Sequence, residues 1–415
     1  MQLTPEAAFA RALEAASRAA PLGALGLAVS GGGDSMALLH LAAGWAGPRG
    51  LRLEVATVNH RLRPEAAGEA RLVGDTARAL GLTHTVLEWR GAPGQGNLQD
   101  AARQARQRLL ADWAGGLGLD AVALGHTADD QAETFLMRLA RGSGVDGLSP
   151  MRADWQAQGT RWLRPLLGLS RAGLRDWLGA RGLAWVEDPS NDDARFARVR
   201  ARRALAALAP LGLDVAGLNA TATRMGRARE VLRRAAHDAA GKFCRTQSGD
   251  VLIAAGAREL PPDTFTRLVA GALVWVASAP YRPRYAALVG ALDEVAQGQT
   301  RSLAGCLLIP EAGGIRICRE YQSVKACQAA PGQLWDKRWR LIGPEPGATI
   351  APLGRAIEAC PEWRQAGRPR AALMADPAVF VDDALAAAPL AGLSRGWSAE
   401  FHPSCGEFSD MLLSH

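Results

Sequence analysis

The sequence predicts an α/β fold, a parallel sheet with helices on both faces, followed by a mainly helical middle region and a small mixed, β-rich C-terminal part. Three observations predict it. Up to about residue 190, short apolar runs alternate with helical segments. Glycines cluster directly behind the first apolar run, at SGGGDS. Beyond about residue 190 the alternation stops, and long helical stretches give way to short runs punctuated by Gly and Pro. Strand and helix in strict alternation bury both sheet faces under crossover helices, which is the parallel arrangement.

The elements follow in order. MQLTPEAAFARALEAASRAA has helical spacing with charges throughout and no apolar signal core, so a secretory leader is not expected. LGLAVS then breaks at three glycines and resumes as the helix former MALLHLAA, reading as strand, tight loop and helix. RLEVATVNH precedes EAAGEARLVGDTARALG, HTVLEW precedes NLQDAARQARQRLLADWAGGLG, and DAVALGH precedes TADDQAETFLMRLARG, making four βα units in all. In such sheets ligands lie beyond the carboxyl ends of the strands, which draws SGGGDS, VNHRLR and GHTADDQAET together. DPSNDDARFARVRARRALAAL is a polar, proline-started turn leading into a basic helix. Residues 214 to about 296 read mostly helical around the apolar run DVLIAA, and the remainder reads as small β-rich modules. The expected division is 1–210, a catalytic α/β domain; 211–298, mainly helical; and 299–415, small and mixed.

At 415 residues the chain is long enough for two or three cores. No stretch of 18 residues is free of charges or breakers, so no membrane span is expected, and the cytoplasm is the expected location. The net charge of +7 favours a polyanionic partner such as nucleic acid, although the Ala, Gly, Arg and Pro bias accounts for part of the arginine content. Lysine occurs only at Lys242, Lys325 and Lys337, so the glycine loop is not a Walker P-loop, whose pattern needs a lysine on the phosphates. The first cysteine is Cys244, and the six in the chain form no C-x-x-C pair, which excludes thiol, persulfide or iron–sulfur chemistry in the first domain.

The glycine loop suits a phosphate: successive backbone N–H groups can point inward, and a helix beginning near Asp34 and Ser35 adds partial positive charge. A plain strand-to-helix turn is the bland alternative. In GHTADDQAET, Thr127 and Asp130 fit a helix capping box, which explains one acid but not the set of His126, Asp129, Asp130 and Glu133. Asp130 and Glu133, three apart, share a helical face. Such a pair can bind a magnesium ion bridging nucleotide phosphates, or grip the ammonium group of a small substrate. His60 follows the second strand, Arg103 and Arg106 share a helix face, and Asn191 sits in the turn set up by Pro189. Arg195, Arg198, Arg200, Arg202 and Arg203 form a stripe suited to RNA phosphates.

These residues resemble a known family. SGGGDS resembles the SGGxDS pyrophosphate-binding loop of the PP-loop ATPases, the adenine nucleotide alpha hydrolase-like fold. With VNHRLR, GHTADDQAET, LARGSGVDGLSPM and WVEDPSNDD in that order, the chain is similar to the tRNA(Ile)-lysidine synthetases. The resemblance is strong over about residues 25 to 205, fair through the middle region and weak beyond about 330. It implies an ATP- and Mg2+-dependent ligase that adenylates carbon 2 of the wobble cytidine of CAU-anticodon tRNA(Ile). L-lysine then attacks, releasing AMP and pyrophosphate and changing the codon read from AUG to AUA. It further implies that Ser30, Gly31, Gly32, Gly33, Asp34 and Ser35 hold the pyrophosphate side of ATP, with Asp34 near the metal and His60 also on the nucleotide. Asp130 and Glu133 would recognise the lysine amino groups, His126 would lie close to the nucleotide, and Asn191 and Arg106 would border the substrates. The chain departs from the family at Arg61, at Arg106-Gln107 and within ARFARVR, leaving the substrate arginine to one of Arg195, Arg198 and Arg200. Rival readings are another PP-loop enzyme, either a tRNA thiolase or an amide-forming synthetase, and a non-catalytic adenylate- or RNA-binding protein. Monomer and homodimer are both compatible with the sequence.

Overall fold

The computed structural model describes residues 3–59, 66–89, 98–187, 195, 197–404 and 406–414. They form two compact units, Met1–Arg227 and Ala228–His415.

The first unit contains α1 (Pro5–Ala19), β1 (Ala24–Ala28), α2 (Gly33–Ala46), β2 (Arg52–Asn59), α3 (Ala66–Ala79), β3 (Thr83–Glu88), α4 (Leu98–Leu117), β4 (Ala121–Leu124) and α5 (Ala128–Leu139). After these come α6 (Val145–Leu148), β5 (Asp154–Ala157), β6 (Thr160–Leu163), α7 (Arg171–Gly179), α8 (Ala197–Leu208) and α9 (Val215–Phe243), whose last turns enter the second unit. The four expected βα units are β1–α2, β2–α3, β3–α4 and β4–α5. Their strands join one six-stranded sheet in the order β3-β2-β1-β4-β6-β5. All pairings are parallel except β5 with β6. That edge hairpin was not foreseen. It turns on Gln158 and Gly159, both at positive φ (54° and 71°), the combination a two-residue type I′ turn requires.

Alternation along the strands sends side chains to two cores. Leu25, Leu27, Ala121 and Ala123 face α1, α2 and α7, packing with Phe9, Leu13, Leu38, Leu39, Leu174 and Leu178. Ala56, Val122 and Trp162 face α4, packing with Leu110 and Trp113. Gly26 is part of that fit, because a Cβ there would lie 2.7 Å from the Trp113 ring. The sheet is therefore sealed on both faces, and polar function is left to its strand ends. β1 has β2 on one side and β4 on the other, so the winding reverses between β1 and β4. A crevice opens at such a switch point, at the carboxyl ends of the strands.

After the end of α9 the second unit continues with a β-hairpin, β7 (Cys244–Gln247) and β8 (Asp250–Ala254), then α10 (Pro262–Ala277), α11 (Tyr285–Ala296), β9 (Arg301–Leu303), β10 (Cys306–Glu311) and β11 (Gly314–Arg319). The strands make an antiparallel sheet in the order β7-β8-β11-β10-β9, packed on the apolar α10. The expected division at 298 thus lies within the span of a single sheet, because the apolar run DVLIAA is strand β8, paired with β11. Two three-stranded sheets complete the unit, built from β12 (Leu334–Trp335), β13 (Trp339–Ile342), β14 (Thr349–Pro352), β15 (Pro377–Val381), β16 (Ala384–Ala387) and β17 (Ser398–Phe401). Inside this unit Asp250, 2% exposed, accepts from both Arg316 (2.9 Å) and Arg368 (2.8 Å). Arg368 also pairs with Asp376, whose carboxyl burial pushes up to about 6. Removing one partner from such a buried network strands a charge. Among the described residues no single helix is long and apolar enough to cross a membrane.

Candidate active site

The loop after β1 is shaped by its glycines and its two serines. Gly31 has φ +94°, a conformation costly to other residues. Its carbonyl accepts from Val186 N–H (2.9 Å), and Gly32 bridges Val186, which pins the loop beside the segment around Val186. The Ser35 hydroxyl donates to the Gly32 carbonyl (2.9 Å), while its oxygen accepts from Ser30 N–H (3.1 Å). Gly32 is the N-cap of α2, and among the described residues no side chain caps that end. Ser30 to Ser35 thus form one stapled turn at a helix N-terminus, where phosphate is favoured.

The loop after β4 approaches it closely. A Cβ on Gly125 would lie 3.2 Å from the Asp34 carbonyl oxygen and 3.2 Å from Ser35 Cα, so only glycine lets the two loops touch without displacement. Thr127 then starts α5 with a complete capping box: Asp130 Oδ2 accepts from Thr127 N–H (2.9 Å) and from its hydroxyl (3.0 Å). The capping explanation of Asp130 and the functional one coexist, because the cap uses only Oδ2.

Asp34, Asp130 and Glu133 converge on Arg171, the first residue of α7. Its Nε donates to Asp34 Oδ2 (3.1 Å), Nη1 to Glu133 Oε1 (3.1 Å) and Nη2 to Asp130 Oδ1 (3.4 Å). Asp129 Oδ2 accepts from the Arg171 backbone N–H at 2.7 Å, and Ala128 N–H donates to the Leu169 carbonyl at 2.9 Å, lacing the starts of α5 and α7 together. Asp130 and Glu133 are 7% and 1% exposed. Burial pushes the Asp34 carboxyl above the usual carboxylate range, with Arg171 pulling the other way. For Asp130 burial is outweighed by the Thr127 N–H and by Arg171 and Arg198, which hold it low. Two oxygens, Asp34 Oδ1 and Glu133 Oε2, are buried with no hydrogen-bond partner among the described residues. Carboxylate oxygens in that condition need a cation or a donor from elsewhere.

His126 is half-buried. Its Nδ1 accepts from Arg164 Nε (3.1 Å), which assigns the proton to Nε2. Burial, then the charges of Arg164, Arg198 and Arg106, pull its pKa down to about 3, so the ring is neutral. Arg106 itself stands exposed on α4, within electrostatic reach of His126. Among the stripe arginines, Arg198 lies 3.6 Å from Asp130 Oδ1 and Arg202 Nε donates to Glu133 Oε1 (3.0 Å). Arg195 and Arg200 are exposed, the Arg200 guanidinium donating to the Arg195 carbonyl at 2.8 Å. His60 and Asn191 lie outside the described residues.

Sequence reasoning missed Arg171, Arg164 and Arg202 as partners of the acids and of His126. For Arg171 a signal existed: SRAGLRDWL puts an arginine in the first turn of a helix, where the helix dipole disfavours a cation unless acids face it. A separate cavity of about 470 Å3 lies at the opposite end of the strands, lined by Glu14, Trp45 and Arg49, and holds none of these groups.

Among the described residues no cluster of three or more His, Cys, Asp or Glu forms a metal cage. Magnesium fits nonetheless, since it is commonly held by one or two carboxylates plus substrate phosphates, and Asp34 Oδ1 is an orphaned buried carboxylate oxygen beside the glycine turn.

Comparison with known proteins agrees with the geometry. Residues 5–209 match the PP-loop domain family. The chain is 48% identical over 407 residues to the tRNA(Ile)-lysidine synthase of Ruegeria pomeroyi, covering 97% of each chain. It is 40% identical to that of Methylobacterium nodulans over 74% of this chain and 93% of that one, and 35% identical to that of Wolbachia pipientis wMel over 81% of each. A glycine turn, a neighbouring acid pair and full-length similarity at this level have one common explanation: the chain belongs to the tRNA(Ile)-lysidine synthase family of PP-loop, ATP-dependent tRNA-modifying enzymes.

Proposed function

We propose that this enzyme adenylates carbon 2 of the wobble cytidine in CAU-anticodon tRNA(Ile) and joins L-lysine there, releasing AMP and pyrophosphate, as a carbon–nitrogen ligase. The observation that supports the reading is that Asp34, after β1, and Glu133, after β4, both accept from the one guanidinium of Arg171. Ser30 to Ser35 cradle the pyrophosphate side of ATP, with backbone amides supplying what a Walker lysine supplies elsewhere. Magnesium bound at Asp34 would offset negative charge on the phosphates during displacement. Neutral His126, its Nε2–H oriented by Arg164, borders the nucleotide as a hydrogen-bond donor. Glu133 Oε2 takes a lysine ammonium group, while Asp130, both of whose oxygens are engaged, fixes the start of α5 and adds negative charge. The exposed arginines of α8 hold tRNA phosphates, with Asn191 and His60 bordering the site. Residues 1–210 carry the chemistry, the mainly helical stretch 211–298 binds the tRNA, and the enzyme works in the cytoplasm.

The absence of cysteine before Cys244 argues against a thiolation chemistry in this domain. Pyrophosphate release tests the reading: it should require tRNA and be matched one-for-one by lysine entering tRNA. Release without tRNA, or tRNA retention without turnover, would replace the ligase with one of the rival readings.

A further inference from the structure

Arginine at the first position of a helix faces an unfavourable dipole. Arg171 nevertheless sits there with its side chain 15% exposed. Its backbone N–H is held by Asp129, and its three nitrogens each reach a different carboxylate. The allocation is selective. Asp34 gives Oδ2 and Glu133 gives Oε1, while Asp34 Oδ1 and Glu133 Oε2 stay buried without a partner among the described residues. Asp130 gives Oδ1, its Oδ2 being occupied by Thr127. A guanidinium is planar with donors at fixed angles, so three carboxylates bound to it are fixed relative to one another.

We propose that Arg171 is a positioning residue that takes one oxygen from each acid and thereby presents Asp34 Oδ1 to the metal and Glu133 Oε2 to the lysine ammonium group in one fixed relation. The proposal rests on the magnesium and lysine assignments made above. It differs from simple charge neutralisation in sign. A counter-ion that only competed with incoming cations would, once removed, leave the acids binding lysine more tightly. A positioning residue, once removed, lets the acids turn away from or share protons with each other, and both cations bind less well. R171K separates the two accounts again, because an ammonium restores charge at one point but cannot span three carboxylates.

The test uses the full-length enzyme with tRNA(Ile), comparing wild type, R171Q and R171K. The lysine KM, the half-saturating magnesium concentration and kcat are measured across pH, with lysine affinity measured separately by calorimetry without ATP. Expected for R171Q is a rise of about 10- to 100-fold in both the lysine KM and the magnesium requirement, the range seen when a group orienting a ligating residue is lost. R171K stays within about threefold of R171Q by the same orienting requirement, and it carries the test if R171Q fails to fold. Tighter lysine binding in R171Q, near-wild-type constants in R171K, or a fall in thermal stability with both constants unchanged would each overturn the proposal. D34A and E133Q serve as controls: if they leave magnesium and lysine dependence untouched, the assignments fail, whereas impaired controls with normal R171Q kinetics fail Arg171 alone.

Discussion

Glu133→Gln separates recognition from structure within one side chain. Glu133 is 1% exposed; Oε1 accepts from Arg171 (3.1 Å) and Arg202 (3.0 Å), and Oε2 has no partner among the described residues. Glutamine keeps the shape, and its carbonyl oxygen can still accept from both arginines. Its NH2 then replaces Oε2, putting a donor where a lysine ammonium needs an acceptor. A hydrogen bond to a charged group contributes about 1.5–3 kcal/mol, so at 1.4 kcal/mol per decade the lysine KM should rise about 10- to 150-fold. The ATP KM should change little, because Asp34 and the glycine turn are untouched, and the fold should lose no more than about 1–2 kcal/mol. Steady-state lysine incorporation into tRNA and thermal unfolding measure the two sides. An unchanged lysine KM with a lowered melting temperature would show that Glu133 is only the acid of a buried ion pair.

Asp34→Ala should abolish pyrophosphate release, by at least about 100-fold as for loss of a charge-stabilising group, while filter binding shows tRNA affinity nearly intact; normal turnover would remove the loop from the mechanism. Replacing the exposed Arg200 and Arg203 with serine should weaken tRNA binding and reduce the slope of log affinity against log salt by about 0.7–0.9 per lost phosphate contact, and an unaltered slope would make them ordinary surface. His126 is held neutral, with its folded pKa near 3 against 6.5 for the free side chain. The unfolded chain therefore takes up that proton first, and stability should fall as pH drops below about 6.5, a component that H126Q lacks in denaturant titrations at several pH values. Gly125→Val should raise the ATP KM, since even a Cβ would meet Asp34 and Ser35 at 3.2 Å, and displacements near 1 Å can cost about 100-fold; an unchanged KM would show the loops need not touch.

Much of the site was legible in the sequence because its signals are local. The four βα units alternate in plain sequence, and the glycine turn and the acid set each occupy one short segment at a strand end. The rule that ligands gather at strand ends was enough to bring Asp34, Asp130 and Glu133 together, and Arg171 contacts all three. What escaped was contact made through space. Arg171 lies 38 and 41 residues from Glu133 and Asp130 and 137 from Asp34, Arg164 lies 38 from His126, and Arg202 lies 69 from Glu133. In a chain with an arginine bias, only the placing of Arg171 in the first turn of its helix marked one of them out, and no local pattern did so for Arg164 or Arg202. The β5–β6 edge was hidden for another reason: Gln-Gly is a weaker turn signal than Asn-Gly, and the strands are four residues each. Strand β8 was visible as an apolar run, but its partner β11 lies some 60 residues away, past two helices.

A crystal grown with ATP, magnesium and L-lysine tests the central claim most directly. The account predicts the triphosphate along residues 30 to 35, the metal against Asp34 Oδ1 and a lysine ammonium group against Glu133 Oε2, all in the crevice between the β1 and β4 ends. Nucleotide bound away from that turn, or lysine bound with Glu133 Oε2 still unpartnered, would contradict it.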